Sequence, residues 1–207
     1  MDGGSAMRLY LTRHGETVWH HENRYAGVSD IALTERGRHQ ATQLAAWAKG
    51  AGLDAVYSSD LTRAVETAAP AAQTAGLPLR RDARLREVHF GDGEGLTRGE
   101  MRTRFPTDLD AHISQPASCA LPAGERGLDA IARALPALDD IERTHPSGVV
   151  LVVMHSTLMR LLLCTALGVD PDRYRALFPR VRNGALTELQ WQGGQGALLG
   201  FNVTPSA

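Results

Sequence analysis

The sequence predicts an α/β fold, a three-layer α/β/α sandwich around a mostly parallel central sheet, on three observations. Short apolar runs alternate with helix-period segments along the chain. Two of the runs, Met7 to Thr12 and Val149 to Met154, are apolar without strict alternation, as in strands covered on both faces. Each of these two is followed by a histidine, His14 or His155, at the carboxyl end where ligands gather in open α/β sheets.

The first run leads into Arg13-His14-Gly15. Thr34-Glu35-Arg36-Gly37 then opens a helical period through Ala41, Leu44, Ala45 and Ala48, with Gly50 and Gly52 as stops, and Ala55-Val56-Tyr57 is the next strand. Asp60 to Ala69 is alanine-rich helix with Ser59 or Asp60 as N-cap and Arg63 in its first turn. Leu85 to Gly91 reads as an extended acidic segment, and the glycine- and proline-punctuated stretch beyond it as a small irregular cap, residues 92–124. Gly127 to Arg143 has an amphipathic helical period that Pro136 should kink or interrupt. Thr157 to Leu167 returns to helix after the second apolar run. Strands over Leu186 to Trp191 and Leu198 to Val203, divided by Gly193-Gly194-Gln195-Gly196, close the chain.

At 207 residues, 43% of them apolar, the chain suits one domain, residues 7–207, behind a flexible extension, residues 1–6, that lacks the features of a signal peptide. A formal charge of −1 gives no basic surface for nucleic acid or for an anionic membrane, so any anion site must be local. The apolar stretch from Val149 to Leu167 is interrupted by His155 and Arg160 and is too short to span a bilayer. Cys119 and Cys164 form neither a disulfide framework nor a metal cluster, which favours a cytoplasmic setting. A homodimer is compatible with the sequence.

Phosphate-ester cleavage needs an in-line nucleophile, fixed positive charge around the phosphoryl oxygens and an acid for the departing alkoxide. A neutral imidazole serves as nucleophile when a carbonyl holds one ring nitrogen as N–H and the other presents its lone pair. Arg13-His14-Gly15 joins charge, nucleophile and permissive backbone, although alone such a triplet is more often a strand-end turn. Taken singly, Arg63 reads as an exposed helix residue, Glu87 as a solvated carboxylate and His155 as a core histidine.

Together these positions carry a resemblance. The run Arg13-His14-Gly15-Glu16-Thr17, then Arg24 to Gly27, Ser29-Asp30 and Leu33 to Gly37, resembles the histidine phosphatase superfamily, which includes cofactor-dependent phosphoglycerate mutases. The similarity continues, in the family's order, through Ser58 to Ala68, Leu85 to Gly91 and Val153-Met154-His155. It implies a phosphoglycerate mutase-like fold, a nucleophilic His14 that is transiently phosphorylated, and a phosphate pocket of Arg13, Arg63 and His155. Glu87, partly buried beside an anionic phosphate, is the implied proton donor. No metal and no cofactor enter that cycle, and the partner is a small phosphorylated metabolite, from sugar phosphates to α-ribazole phosphate.

Three departures bear on rate and substrate. His20 stands where the family commonly has Asn and can still donate to phosphate. Ser156 and Thr157 replace two glycines after the second histidine, and Gly93 replaces a Trp of phosphatase members. The segment from Asp92 to Gly124 is short for a mutase insertion, which favours hydrolysis, whereas His89 is mutase-like. Mutase-type phosphoryl transfer and a weakly active or non-catalytic phosphate-binding protein are the alternatives. A metallohydrolase built on His14, His155, Glu87 and His89 lacks a clustered ligand pattern.

Overall fold

The computed structural model describes residues 6–206; the expected N-terminal extension, save Ala6, lies outside them. Six strands, β1 (Met7–Arg13), β2 (Ala55–Ser58), β3 (Leu79–Arg81), β4 (Val149–Met154), β5 (Leu186–Gln192) and β6 (Gln195–Val203), form one sheet in the order β3-β2-β4-β1-β5-β6. β3, β2, β4 and β1 pair in parallel, and β5 runs antiparallel to both β1 and β6. The expected mostly parallel sheet is therefore present, with β3 added to the strands read from sequence.

Successive side chains of β4 alternate between two cores. Val150, Val152 and Met154 join one cluster with Leu9 and Leu11 of β1, while Leu151 and Val153 join the other. The first cluster lies under α5 (Gly127–Thr144) and α6 (Ser156–Ala166), the second under α1 (Glu35–Ala48) and α2 (Thr62–Thr74). A strand apolar on both faces is thus explained by a layer of helices on each side.

Residues 92–124, expected to be irregular, carry two short helices, α3 (Arg98–Arg104) and α4 (Pro106–Ser114). Their signals are present in the sequence. Thr97 and Glu100 form a reciprocal capping box, and Pro106 occupies the first position of α4, where no N–H is needed. α5 runs without a break through Pro136, because Ala130, Ile131, Ala134, Leu138 and Ile141 are buried and outweigh the one lost backbone bond. A last short helix, α7 (Tyr174–Leu177), precedes β5.

α2 starts two residues later than expected. Asp60 is paired with Arg86, and Asp30 supplies the cap from a distant loop: it accepts the Thr62 N–H at 3.2 Å and the Thr62 hydroxyl at 2.7 Å. Among the described residues no helix is long and apolar enough to cross a membrane.

The loop after β1 is held against the first turn of α1 by two glycines. A Cβ on Gly15 would sit 2.5 Å from the Gly37 carbonyl oxygen, and one on Gly37 would sit 2.1 Å from that of Glu16. Both obstacles are backbone and have little room to yield. Gly37→Ala is therefore expected to destabilise the protein by about 1–3 kcal/mol, the range of forced overpacking. Thermal unfolding would register about 2–4 °C per kcal/mol in a chain of this size. An unchanged Tm would refute the close approach.

Candidate active site

The register of the sheet brings the two histidines together. Arg13 on β1 is level with Met154 on β4, so His14 and His155 leave adjacent strand tips; the His14 N–H donates to the Met154 carbonyl at 3.0 Å. Their ring centroids are 5.2 Å apart. β2 ends at the same edge, where the Ser59 N–H donates to the Val153 carbonyl and the Ser59 hydroxyl lies 2.7 Å from His155 Nε2.

His14 is 4% exposed, and its Nδ1 lies 2.7 Å from the Gly15 carbonyl oxygen. A carbonyl only accepts, so Nδ1 carries the hydrogen and Nε2 is left with a lone pair. Burial, followed by the charges of His155, Arg63 and Arg13, holds His14 well below the usual histidine value, so the ring is neutral. The Gly15 N–H donates to the Thr67 hydroxyl at 2.9 Å, which itself donates to the Arg63 carbonyl, tying the loop to α2.

Both arginines are anchored through neutral groups. Arg63 is fully buried, and its two terminal nitrogens donate to the carbonyls of Ser29 and Gly27 at 2.7 and 2.5 Å. Arg13 donates through Nη1 to the Val181 carbonyl at 3.0 Å and meets His20 Nε2 through Nη2 at 2.5 Å. Burial lowers Arg13 to about 10, leaving it charged at neutral pH. The Nε atoms of both arginines, and His155 Nδ1, are buried without a hydrogen-bond partner among the described residues. When the Ser59 hydroxyl donates to Nε2, His155 carries its hydrogen on Nδ1 and becomes a third donor without a partner.

Glu87 lies in an extended segment outside the sheet, 4% exposed, at the start of α6. Its Oε1 accepts the N–H groups of Val88 and Leu158, both at 2.9 Å, and its Oε2 that of Thr157 at 2.8 Å. The carboxylate thus caps α6, and Oε2 keeps one acceptor direction open. Arg13, His14, His20, Glu87 and Ser156 line a cavity of about 610 Å³, with Arg63 and His155 buried behind its wall.

The remaining sequence candidates are placed differently. His20, expected to donate to phosphate, faces Arg13 Nη2 with its Nε2 at 2.5 Å, while its Nδ1 accepts the Thr17 N–H at 3.0 Å and lies 2.8 Å from the Thr17 hydroxyl. Burial and Arg13 bring it down to about 4, and the neutral ring has no free N–H for an anion; it positions Arg13. His89 Nδ1 accepts the Gly91 N–H, a local turn contact. The space beside Gly93 is filled, since a Cβ there would be 2.5 Å from Leu121 Cδ1. The Gly91 to Thr97 stretch is fixed by Glu94, which accepts from the N–H groups of Gly27, Val28 and Phe90 and the hydroxyl of Ser29.

Sequence reasoning missed Ser59, Thr67 and Asn183, whose side-chain amide donates to the His14 carbonyl at 2.8 Å. Ser59 stood in plain view and was read as a helix cap; nothing in spacing marks Asn183. Arg98, Arg160 and Arg175 also line the cavity and were not singled out. Among the described residues no three His, Cys, Asp or Glu side chains converge as a metal-binding group.

Known proteins share this arrangement of fold. The chain is 29% identical over 198 residues to phosphoserine phosphatase 1 of Hydrogenobacter thermophilus, covering 96% of this chain and 93% of that protein. It is 33% identical over 202 residues to a probable phosphoglycerate mutase, GpmB, of Escherichia fergusonii, covering 95% and 91%. The mycobacterial glucosyl-3-phosphoglycerate phosphatase Rv2419c, solved with VO3, superposes with a TM-score of 0.87 at 30% identity, covering 96% of this chain and all (100%) of that one. A profile of the histidine phosphatase superfamily (branch 1) matches residues 9–204, and the chain belongs to that family.

Proposed function

We propose that this chain is a phosphomonoesterase that hydrolyses small phosphorylated metabolites by double displacement on His14. The observation that carries the reading is the His14 ring: Nδ1–H is fixed on the Gly15 carbonyl and Nε2 is left as a buried, neutral nucleophile beside three unpartnered donors. Nε2 attacks phosphorus as the ester P–O bond breaks, and Glu87 gives its proton to the departing oxygen. Water then attacks the phosphohistidine and yields a proton to Glu87; the P–N bond breaks and phosphate leaves.

The charge that builds on the phosphoryl oxygens meets Arg13 Nε, Arg63 Nε and His155 Nδ1, held in place before the reaction. His20 contributes by fixing the Arg13 guanidinium rather than by touching phosphate. The names of three relatives, two phosphatases and one probable mutase, are consistent with phosphoryl chemistry. A mutase differs only in the acceptor, an alcohol in place of water. The short cap favours water, and release of inorganic phosphate decides between them. The free thiols of Cys119 and Cys164 suit a cytoplasmic enzyme.

Wild type should turn over p-nitrophenyl phosphate, and His14→Ala should lose at least about a thousandfold in kcat. An acid-labile, base-stable phosphoryl label should map to the peptide holding His14; equal turnover by the two proteins would sink the phosphohistidine route. Glu87→Gln should slow alkyl phosphates by roughly 10²–10⁴-fold and nitrophenyl phosphate far less, because only the poor leaving group needs its proton. Equal slowing of both would remove Glu87 from the acid role.

Protonation of the two buried histidines also links to stability. His14 and His155 both lie well below the ordinary value in the folded chain, mainly through burial, so the unfolded chain binds more protons than the folded one as pH falls. Their contribution is complete above the unfolded value of about 6.5 and declines below it, by at most about 1.4 kcal/mol per pH unit for each. Urea unfolding at about pH 7 and about pH 5.5 should show the loss, and His14→Gln should show less of it. A stability that does not change over this interval would mean that the histidines are already charged in the fold.

A further inference from the structure

The cavity carries more positive charge than one phosphoryl group requires. Arg13 and Arg63 already serve the volume beside His14, yet Arg98, Arg160 and Arg175 line the same cavity farther out. None of these three is in an ion pair among the described residues, whereas Arg24, which also lines it, is paired with Glu22 and Glu100. The one carboxylate on the cavity wall, Glu87, is engaged with the N-terminus of α6.

The three arginines are built in place rather than loose. Arg160 donates through Nε to the Ser156 carbonyl at 3.0 Å, and its guanidinium lies 4.4 Å from the centre of the Tyr174 ring. Arg175 stands 5.0 Å from the same ring, with Nη2 at 3.2 Å from His112 Nε2. Its Nε is buried without a hydrogen-bond partner among the described residues. Arg98, at the start of α3, donates to the Tyr25 hydroxyl at 3.2 Å. Stacking on a buried aromatic ring holds a guanidinium without neutralising it.

We propose that Arg98, Arg160 and Arg175 form a second anion subsite, so that the preferred substrates are phosphate monoesters bearing a further anionic group, a carboxylate or a second phosphate. This rests on the phosphatase reading of the same cavity. The Arg160 guanidinium reaches back along α6 to the Ser156 carbonyl, one residue beyond His155, so this cation stands at the border of the volume in which the phosphoryl group would react. Neutral sugar phosphates would leave these cations facing water; a second anion completes them with charge-assisted hydrogen bonds.

Paired ligands that differ only in the second charge test this without turnover. In calorimetric titrations of His14→Ala, 3-phosphoglycerate should bind at least about tenfold tighter than glycerol 3-phosphate, the worth of one charge-assisted contact. Fructose 1,6-bisphosphate against fructose 6-phosphate asks the same of a second phosphate. A preference in the first pair alone identifies a carboxylate, in the second alone a phosphate, and either supports the subsite. Adding Arg160→Met should bring the preference to within about twofold. Equal affinities within both pairs, or a preference untouched by Arg160→Met, would overturn the proposal. Failure of wild type to hydrolyse nitrophenyl phosphate would instead overturn the phosphatase reading alone.

Discussion

Everything at this site depends on burying cationic side chains without giving them carboxylate partners. Arg63 has no exposure, and its contacts are neutral carbonyls; Arg13 is held by a carbonyl and a neutral imidazole. Removing a charge from water is costly, and an opposite charge in direct contact is the usual compensation. Here the acids stay at one remove: Glu87, Glu94 and Asp30 act on Arg63 through space while bonding to backbone elsewhere. Guanidinium groups held through neutral partners keep their charge for an anion, which on the proposed reading is the phosphoryl group. Burial, and after it the same field, keeps His14 and His155 neutral, because adding a third or fourth positive charge to this volume is unfavourable.

Such a site is only stable if the backbone around it cannot relax. The β1–β4 register fixes the two histidines, and the Gly15–Gly37 approach fixes the loop that presents the first. Loop 26–30 is bound three times over: its carbonyls hold Arg63, its N–H groups bond to Glu94, and Asp30 caps α2. Each of these bonds also satisfies a polar group that would otherwise be buried alone. Preorganisation in this molecule is therefore mostly backbone hydrogen bonding, with side chains as clamps.

That division explains what could be read in the sequence. Strand positions, the order of elements and the strand-tip histidines follow from local apolar pattern and were legible residue by residue. Arg13, His14, Arg63, Glu87 and His155 stand in runs such as Arg13-His14-Gly15 that carry a family resemblance, and the fold brings them to one end of the sheet. Asp30, Glu94 and Asn183 act across distances of 32, 67 and 169 residues along the chain, and no local pattern encodes such partners. The helices within 92–124 escape a local reading for a different reason: glycine and proline there signal breaks, although Thr97, Glu100 and Pro106 are helix-start residues. Residue type suggests a donor at His20, while in the fold both of its ring nitrogens are engaged, by Arg13 and by Thr17.

The inner and outer arginines differ in the way they are held, and on the proposed reading they differ in function accordingly. The inner pair is fixed by main-chain carbonyls, which belong to the sheet edge and to the stitched loop, so its geometry is inseparable from the fold. Apart from the Ser156 carbonyl under Arg160, the outer set leans on side chains, Tyr174 of α7, His112 of the helical cap region and Tyr25 of the loop before α1. Side-chain supports can be exchanged without disturbing the sheet, whereas the main-chain supports cannot. Chemistry at His14 is thereby tied to the scaffold, and discrimination among phosphate esters is assigned to the part of the cavity that a few substitutions can remodel.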